Sequence, residues 1–193
     1  MSSKEFIINS IKEANLDKKT ALPSLEDIEH TIYENPLKSF KESIKSVAGE
    51  VKEIRDMSIE EFLKENYPND KKVVTTIENL CENCLHVSDF QDPHELKDVD
   101  LAIVKGEFAV AENGAVWIKE DISLRAIYFI AKKLIILIDK DEIVNSMHEA
   151  YERVEFEKSG FGVFISGPSK TADIEQSLVI GAHGAMECCV LLT

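Results

Sequence analysis

The sequence predicts an α/β fold, a mainly parallel sheet with flanking helices, preceded by a helical N-terminal extension. Three observations predict it. Short β-branched or apolar runs recur after Asn69, helical periodicities alternate with them, and one run, residues 134–138, is apolar without interruption. Strands that alternate with helices build parallel sheets, because each parallel crossover carries a covering helix. A strand with no polar alternation is buried on both faces, as parallel strands are. The boundary falls where the pattern changes: residues 1–68 read as a helical extension packing on the core, and 69–193 as the α/β domain.

The elements follow in order. Ile7, Ile11 and Ala14 give one apolar helix face. Phe40, Ile44, Val47, Val51 and Ile54 recur at spacings of four and three, which predicts an amphipathic helix with Ser39 as its N-cap. Ser58 and Glu61 form a capping box ahead of Phe62 and Leu63. Between these helices, residues 22–37 carry Pro23 and Pro36 and read as an irregular linker. Residues 72–76 are β-branched and predict a strand, and 101–104 predict another after the acidic turn Asp98-Val99-Asp100. Residues 108–118, rich in Val and Ala around Gly114, predict a hairpin or a bulged strand. Ile143, Met147, Ala150 and Val154 line one face of a helix predicted over 141–154. A strand over 162–166, a short helix over 171–180 ended by Gly181, and a strand over 188–192 complete the chain.

Charge and composition exclude several classes. Acidic residues outnumber basic ones 36 to 22, for a net charge of −14. Such a surface repels phosphate backbones, so no nucleic-acid partner is expected. The longest apolar candidate for a membrane span, 126–138, is broken by Lys132 and Lys133, so no membrane partner is expected. The first nineteen residues have scattered charges and no long apolar core, which predicts no secretory signal and a cytoplasmic location. Four cysteines without a signal predict reduced thiols rather than a disulfide scaffold. A site for an anionic ligand must be a local positive spot against this background.

The strongest candidate is 167–173, Gly-Pro-Ser-Lys-Thr-Ala-Asp, after the strand 162–166 and opening the helix 171–180. Ligands of open α/β sheets bind at the carboxyl ends of strands, and a helix start attracts anions. Gly167, Ser169, Lys170 and Thr171 would cradle a phosphate or carboxylate, while Asp173 suits the helix start as a cap or dipole partner. The bland alternative is a capped helix with Lys170 in solvent. Cys81-Glu82-Asn83-Cys84 with His86 suggests a metal, but no second ligand pair has matching spacing, so no metal and no cofactor are expected. Cys188 and Cys189 are adjacent on a strand and point to opposite faces.

Residues 167–184, GPSKTADIEQSLVIGAHG, resemble the closing signature of the LUD-domain family, the lactate-utilisation protein C-like proteins. Lys170 stands where the family usually has Arg, and Ala185 where Pro follows the His-Gly pair. Residues 106–115 resemble a second family segment, with Asn113 and Ala115 in place of two threonines. The resemblance implies the wider fold of ribose-5-phosphate isomerases, glucosamine-6-phosphate deaminases and CoA transferases. It also implies a site that joins Gly106, Glu112, Asn113 and Gly114 to Gly167–Asp173 and His183. Ala111-Glu112-Asn113-Gly114 is similar to the S-E-N-G signature of CoA transferases, where the Glu is the nucleophile, so Glu112 is either a base or nucleophile or a turn carboxylate. His183 either orients a ligand carboxylate or bonds to backbone.

Two functions follow from the resemblance. One is a component of an L-lactate utilisation system, oxidising lactate to pyruvate with iron–sulfur partner subunits, with an anion-binding turn and room for a homo-oligomer. The other is a stand-alone enzyme acting on a sugar phosphate or acyl-CoA through Glu112. Assembly or regulation without any ligand is a third.

Overall fold

The computed structural model describes residues 2–15, 31–119, 122–154, 160–171 and 179–193. By internal contacts the chain divides into Met1–His30 and Thr31–Thr193. In the first unit, helix α1 (Ser3–Asn15) starts with a reciprocal pair. The Ser2 amide donates to the Glu5 carboxylate at 2.7 Å and the Glu5 amide to the Ser2 hydroxyl at 3.2 Å. Two N–H groups that the helix itself cannot pair are satisfied in this way.

The second unit begins with α2 (Pro36–Ser46). Asn35 caps it by accepting from the Lys38 amide at 2.9 Å, and Pro36 fills the first turn, where no N–H is needed. The cap is therefore Asn35 rather than Ser39. Nor does the helix run on to Ile54. It stops at Ser46, Ala48 turns the chain at φ 63°, and Glu50–Glu53 become strand β1. Phe40 and Ile44 do face the core, but Val51 is held by pairing with Val190. Sheet pairing overrides the helical spacing there. In α3 (Ile59–Asn66) the Ser58–Glu61 capping box forms as predicted, with bonds of 2.8 and 3.2 Å.

Next come β2 (Val73–Thr75), β3 (Leu85–His86), two 3-10 turns, β4 (Leu101–Lys105), and the hairpin β5 (Phe108–Val110) with β6 (Val116–Lys119). The short helix α4 (Ile127–Ile130) leads to β7 (Lys133–Ile138). Then follow β8 (Ile143–Val144), α5 (Met147–Arg153), β9 (Gly162–Ile165), the pair β10 (Lys170–Thr171) and β11 (Val179–Ile180), and β12 (Glu187–Leu192).

The helix predicted over 141–154 is shorter than its apolar spacing suggests. Ser146 accepts from the Glu149 amide and fixes the start at Met147, while Ile143 and Val144 pair with β5. The helix predicted over 171–180 is not formed at its ends. Lys170 and Thr171 pair antiparallel with Ile180 and Val179, and residues 172–178 lie outside the described residues.

Six strands form an all-parallel sheet in the order β1-β12-β7-β4-β2-β3. A second, mixed sheet has the order β8-β5-β6-β9. Side chains of the main sheet divide with period two. Leu101, Ile103, Ile135, Cys189 and Leu191 pack with Phe62 of α3 on one face. Ala102, Val104, Leu134, Ile136, Ile138, Cys188, Val190 and Leu192 pack on the other, against Phe40 and Ile44 of α2, Ile127 of α4, and Ala109, Val116 and Ile118 of the hairpin. The hairpin's outer side, Phe108 and Val110, is covered in turn by Ala150 of α5 and by Val154.

The starts of the strands are tied by Asp100. Its carboxylate accepts from the Lys71 and Lys72 amides, both at 3.1 Å, and from Lys132 Nζ at 2.7 Å. The Lys132 ammonium, followed by the backbone amides, holds the Asp100 carboxyl down at about 2, below its ordinary 3.8. A carboxyl whose folded pKa is depressed contributes stability above its unfolded pKa and loses it as pH falls through the folded one. The stability gap between wild type and Asp100→Asn should therefore be full at neutral pH and close between about pH 4 and about pH 2. Urea unfolding followed by circular dichroism at several pH values would measure it. A gap constant across that window would show that the charge of Asp100 is irrelevant.

Candidate functional site

The predicted site residues separate into two places. Gly106 lies at the carboxyl edge of the main sheet, immediately after β4. A side chain there would meet Val116 Cγ1 at 2.6 Å and Ile136 Cγ2 at 3.1 Å, so only glycine lets the hairpin fold back this closely on the sheet. The Gly106 amide donates to the Leu137 carbonyl at 2.7 Å.

A cavity of about 880 Å³ opens beside it. Lys105, Asp139 and Thr193 bring the carboxyl ends of β4, β7 and β12 to its wall, and Ile77 and Leu80 come from the loop after β2. Phe108, Trp117 and Lys119 of the hairpin, with Arg153 of α5, close the far side. Arg153 donates to Glu142 at 2.6 Å and lies 5.6 Å from the Phe108 ring centre. Lys105 has no ion-pair partner among the described residues. This is the edge at which open α/β sheets bind ligands. Lys105, Lys119, Trp117 and Arg153 carry no motif in the sequence. They converge only because strand ends, hairpin and helix meet.

The remaining predicted residues lie elsewhere. The turn 111–114 sits against α2: Ser43 Oγ donates to the Ala111 carbonyl at 2.7 Å. Ser166 Oγ donates to the Asn113 carbonyl at 2.8 Å, so the Glu112 turn and the Gly167 turn are neighbours. The Glu112 carboxylate accepts the Met147 amide at 2.8 Å, at the start of α5. An anionic acceptor at a helix start pairs one of its orphan N–H groups and complements its dipole. Asn113 Oδ1 accepts the Ala115 amide at 3.0 Å, and Gly114 turns at φ 68° against Ile44.

Gly167 also adopts a left-handed conformation, φ 69°, and a side chain there would lie 2.6 Å from the Val47 carbonyl oxygen. Val47 precedes β1, so this turn stands near the amino edge of the main sheet, opposite the edge inferred from the sequence. The strand before it, β9, belongs to the second sheet, which explains the difference.

Beyond it, the Ser169 amide donates to the Ala185 carbonyl and the Gly181 amide to the Ser169 carbonyl, both at 2.9 Å. Gly184 packs on Ser169. His183 is exposed and lines a second cavity, of about 600 Å³, with Phe129, Lys132 and Met186, also at the amino edge. Lys170 is exposed on β10. The Thr171 side chain and Asp173 lie outside the described residues.

The cysteines differ from expectation in one respect. Cys188 and Cys189 are free and point to opposite faces of the sheet, as predicted, but Cys81 and Cys84 form a disulfide, not reduced thiols. The C-x-x-C turn brings their Cα atoms to 5.4 Å, within bonding range. No group of three or more His, Cys, Asp or Glu suited to a metal occurs among the described residues. No helix among them is long and apolar enough to cross a membrane.

Residues 87–193 match the family model of the LUD domain. The chain is 32% identical over 103 residues to lactate utilization protein C of Geobacillus kaustophilus, covering 50% of this chain and 43% of that protein. It is 33% identical over 98 residues to the protein of the same name from Bacillus pumilus, covering 47% and 41%. The chain thus spans less than half of either relative. In fold it is similar to a crystal structure of a DUF162-family protein from Deinococcus radiodurans, with a TM-score of 0.63, 17% identity, and coverage of 81% of this chain and 95% of that one.

Two substitutions separate structural from chemical roles at the motif turns. Gly167→Ala should destabilise the protein by at least about 1–2 kcal/mol, the cost of a left-handed non-glycine residue, before the clash with Val47 is added. A thermal unfolding midpoint unchanged from wild type would contradict it. Glu112→Ala, which frees the Met147 amide, should cost about 0.5–2 kcal/mol, as the loss of a helix cap does. Denaturant unfolding measures this, and no loss of stability would release Glu112 from its structural role.

Proposed function

Because the chain belongs to the LUD-domain family, we propose that it serves lactate utilisation by holding a small carboxylate anion, alongside iron–sulfur partner proteins. The carrying observation is the cavity at the carboxyl edge of the sheet. In a chain of net charge −14, Lys105, Lys119 and Arg153 line one opening with Glu107, Asp139 and Glu142, and Lys105 has no ion-pair partner among the described residues. Phe108, Trp117, Ile77 and Leu80 supply apolar walls beside them. A cation such as Lys105, set beside apolar walls, suits an anion with a short carbon skeleton, since the walls lower the local dielectric and strengthen the charge contact. The names of the relatives point to lactate, and lactate and its oxidised partner pyruvate fit this description chemically.

Lys105 would meet the carboxylate, and Arg153 would turn to it from Glu142. Glu112 and the turn at Gly167 would support the fold around α2 and α5 rather than touch the ligand.

Titration calorimetry with L-lactate and with pyruvate tests the reading. Binding of one of them is expected. Lys105→Glu should weaken it about tenfold or more, because a hydrogen bond to a charged group contributes about 1.5–3 kcal/mol. No heat with either anion, or an unchanged affinity in Lys105→Glu, would overturn the anion site. Pull-down from lactate-grown cells, with mass spectrometry for iron–sulfur proteins, tests the partnership separately.

A further inference from the structure

The C-x-x-C turn of Cys81 and Cys84 plays no part in this reading, yet its surroundings suit a chemical role. The turn lies in the loop between β2 and β3, beyond the carboxyl end of β2. Cys84 N donates to the Cys81 carbonyl at 3.4 Å, so backbone as well as sulfur closes the turn.

Both cysteines are only half-buried. They border an open cleft of about 570 Å³ together with Asn79, Glu82, His86 and Asp89, and a smaller one of about 160 Å³ beside Leu63 and Tyr67. A reducing thiol can therefore reach them from solvent. The other two cysteines of the chain, Cys188 and Cys189, are each 3% exposed, and burial pushes the Cys188 thiol up to about 12. Thiol chemistry, which needs thiolate and access, is thus confined to one place.

A bond across three residues closes a small ring. It removes little entropy from the unfolded chain, so stability alone is a weak reason for it. Its position suggests another. The same loop carries Ile77 and Leu80, two walls of the large cavity, and Asn79 is held in it at φ 55°. His86 is not a spare base for the sulfurs, since its ring nitrogens bond Ser88 Oγ at 2.7 Å and the Thr76 carbonyl at 3.2 Å, anchoring the far end of the loop.

We propose that Cys81 and Cys84 are a reversible two-electron thiol–disulfide site, opened by a dithiol reductant, whose state sets the wall that residues 77–80 give the large cavity. In the step, a thiolate of the dithiol attacks one sulfur and the Cys81–Cys84 bond breaks. The other cysteine leaves as thiolate and takes a proton. The second thiol of the reductant then attacks the mixed disulfide and releases the first cysteine. Two electrons and two protons pass to the protein, and the dithiol becomes a disulfide. This does not rest on which anion the cavity holds.

The test uses the full chain, equilibrated natively in mixtures of reduced and oxidised dithiothreitol, acid-quenched, denatured and labelled with a maleimide of high mass. Cys81 and Cys84 should pass together from unlabelled to labelled as the mixture becomes reducing, while the two buried thiols label in every sample. Failure to form the bond in the oxidising mixture would overturn the site. So would a bond that survives dithiothreitol until the protein is unfolded. The coupling is read from Trp117, the single tryptophan and a lining residue of the large cavity. Its emission should shift on reduction in the wild type and not in Cys81→Ser/Cys84→Ser. Identical emission in both states of the wild type, or the same shift in the double variant, would overturn the coupling. Labelling needs only the wild type, so it stands even if the variant fails to fold.

Discussion

The constraint on which the rest of this structure depends is that a parallel sheet must be buried on both faces. β7 and β4 are its centre, and neither face of either strand can meet water: Ile135 and Ile103 face one way, Ile136 and Val104 the other. Each buried apolar side chain contributes about 1.5–3 kcal/mol, so both faces demand a cover. Helix α3 supplies one. The other is assembled from α2, α4 and a hairpin whose own outer face then requires α5. Gly106 follows from the same demand, because the hairpin must leave the end of β4 and lie back on the sheet at once.

The two edges of the sheet differ in how they are finished. The amino edge is held by polar ties. Asp100 gathers Lys71, Lys72 and Lys132, and Asp70 takes Lys133 at 3.0 Å. The Met186 amide reaches the Lys132 carbonyl at 2.8 Å. The turn at Gly167 lies against Val47 there, and Ser169 joins Gly181 and Ala185 through backbone bonds. The carboxyl edge is joined by backbone bonds, such as the Gly106 amide to the Leu137 carbonyl at 2.7 Å and the Thr193 amide to the Ile138 carbonyl at 3.0 Å, and the large cavity opens beside them. Much of the signature in residues 167–184 thus lies at the tied edge, while the large cavity takes only Gly106, Glu107 and Phe108 from the second segment and its other walls from residues outside either motif.

That division explains what could be read from the sequence. Strands β2, β4, β7 and β12 of the main sheet were legible because burial on both faces leaves a compositional trace, as in 134–138, while β1 and β3 were not. The Ser58–Glu61 box was legible because capping is local. Ser39 lost the cap of α2 to Asn35 by a local choice, but most misread elements lie where a distant partner decides. Val51 fits a helical spacing but pairs with Val190, and Ile143 fits one but pairs with Ala109. Lys170 and Thr171 look like a helix start but find Ile180 and Val179. The site was legible only in part for the same reason. Gly106 belongs to a motif, whereas Lys105, Trp117 and Arg153 come from three elements that meet only after folding.

The charges at the open edge also limit what it can hold. Lys105, Lys119 and Arg153 are matched there by Glu107, Asp139 and Glu142. Asp139 is already engaged with the Asp141 amide at 2.9 Å, and Glu142 with Arg153. An anion that takes Arg153 must displace Glu142, so it exchanges one ion pair for another and gains little from that residue. The net attraction falls to Lys105, beside the strand end, and to the apolar walls. A multiply charged phosphate would meet three carboxylates there, while a single carboxylate on a short carbon chain needs no more than Lys105 and those walls. The same balance makes the walls decisive, and the loop that carries Ile77 and Leu80 is the one fastened by Cys81 and Cys84.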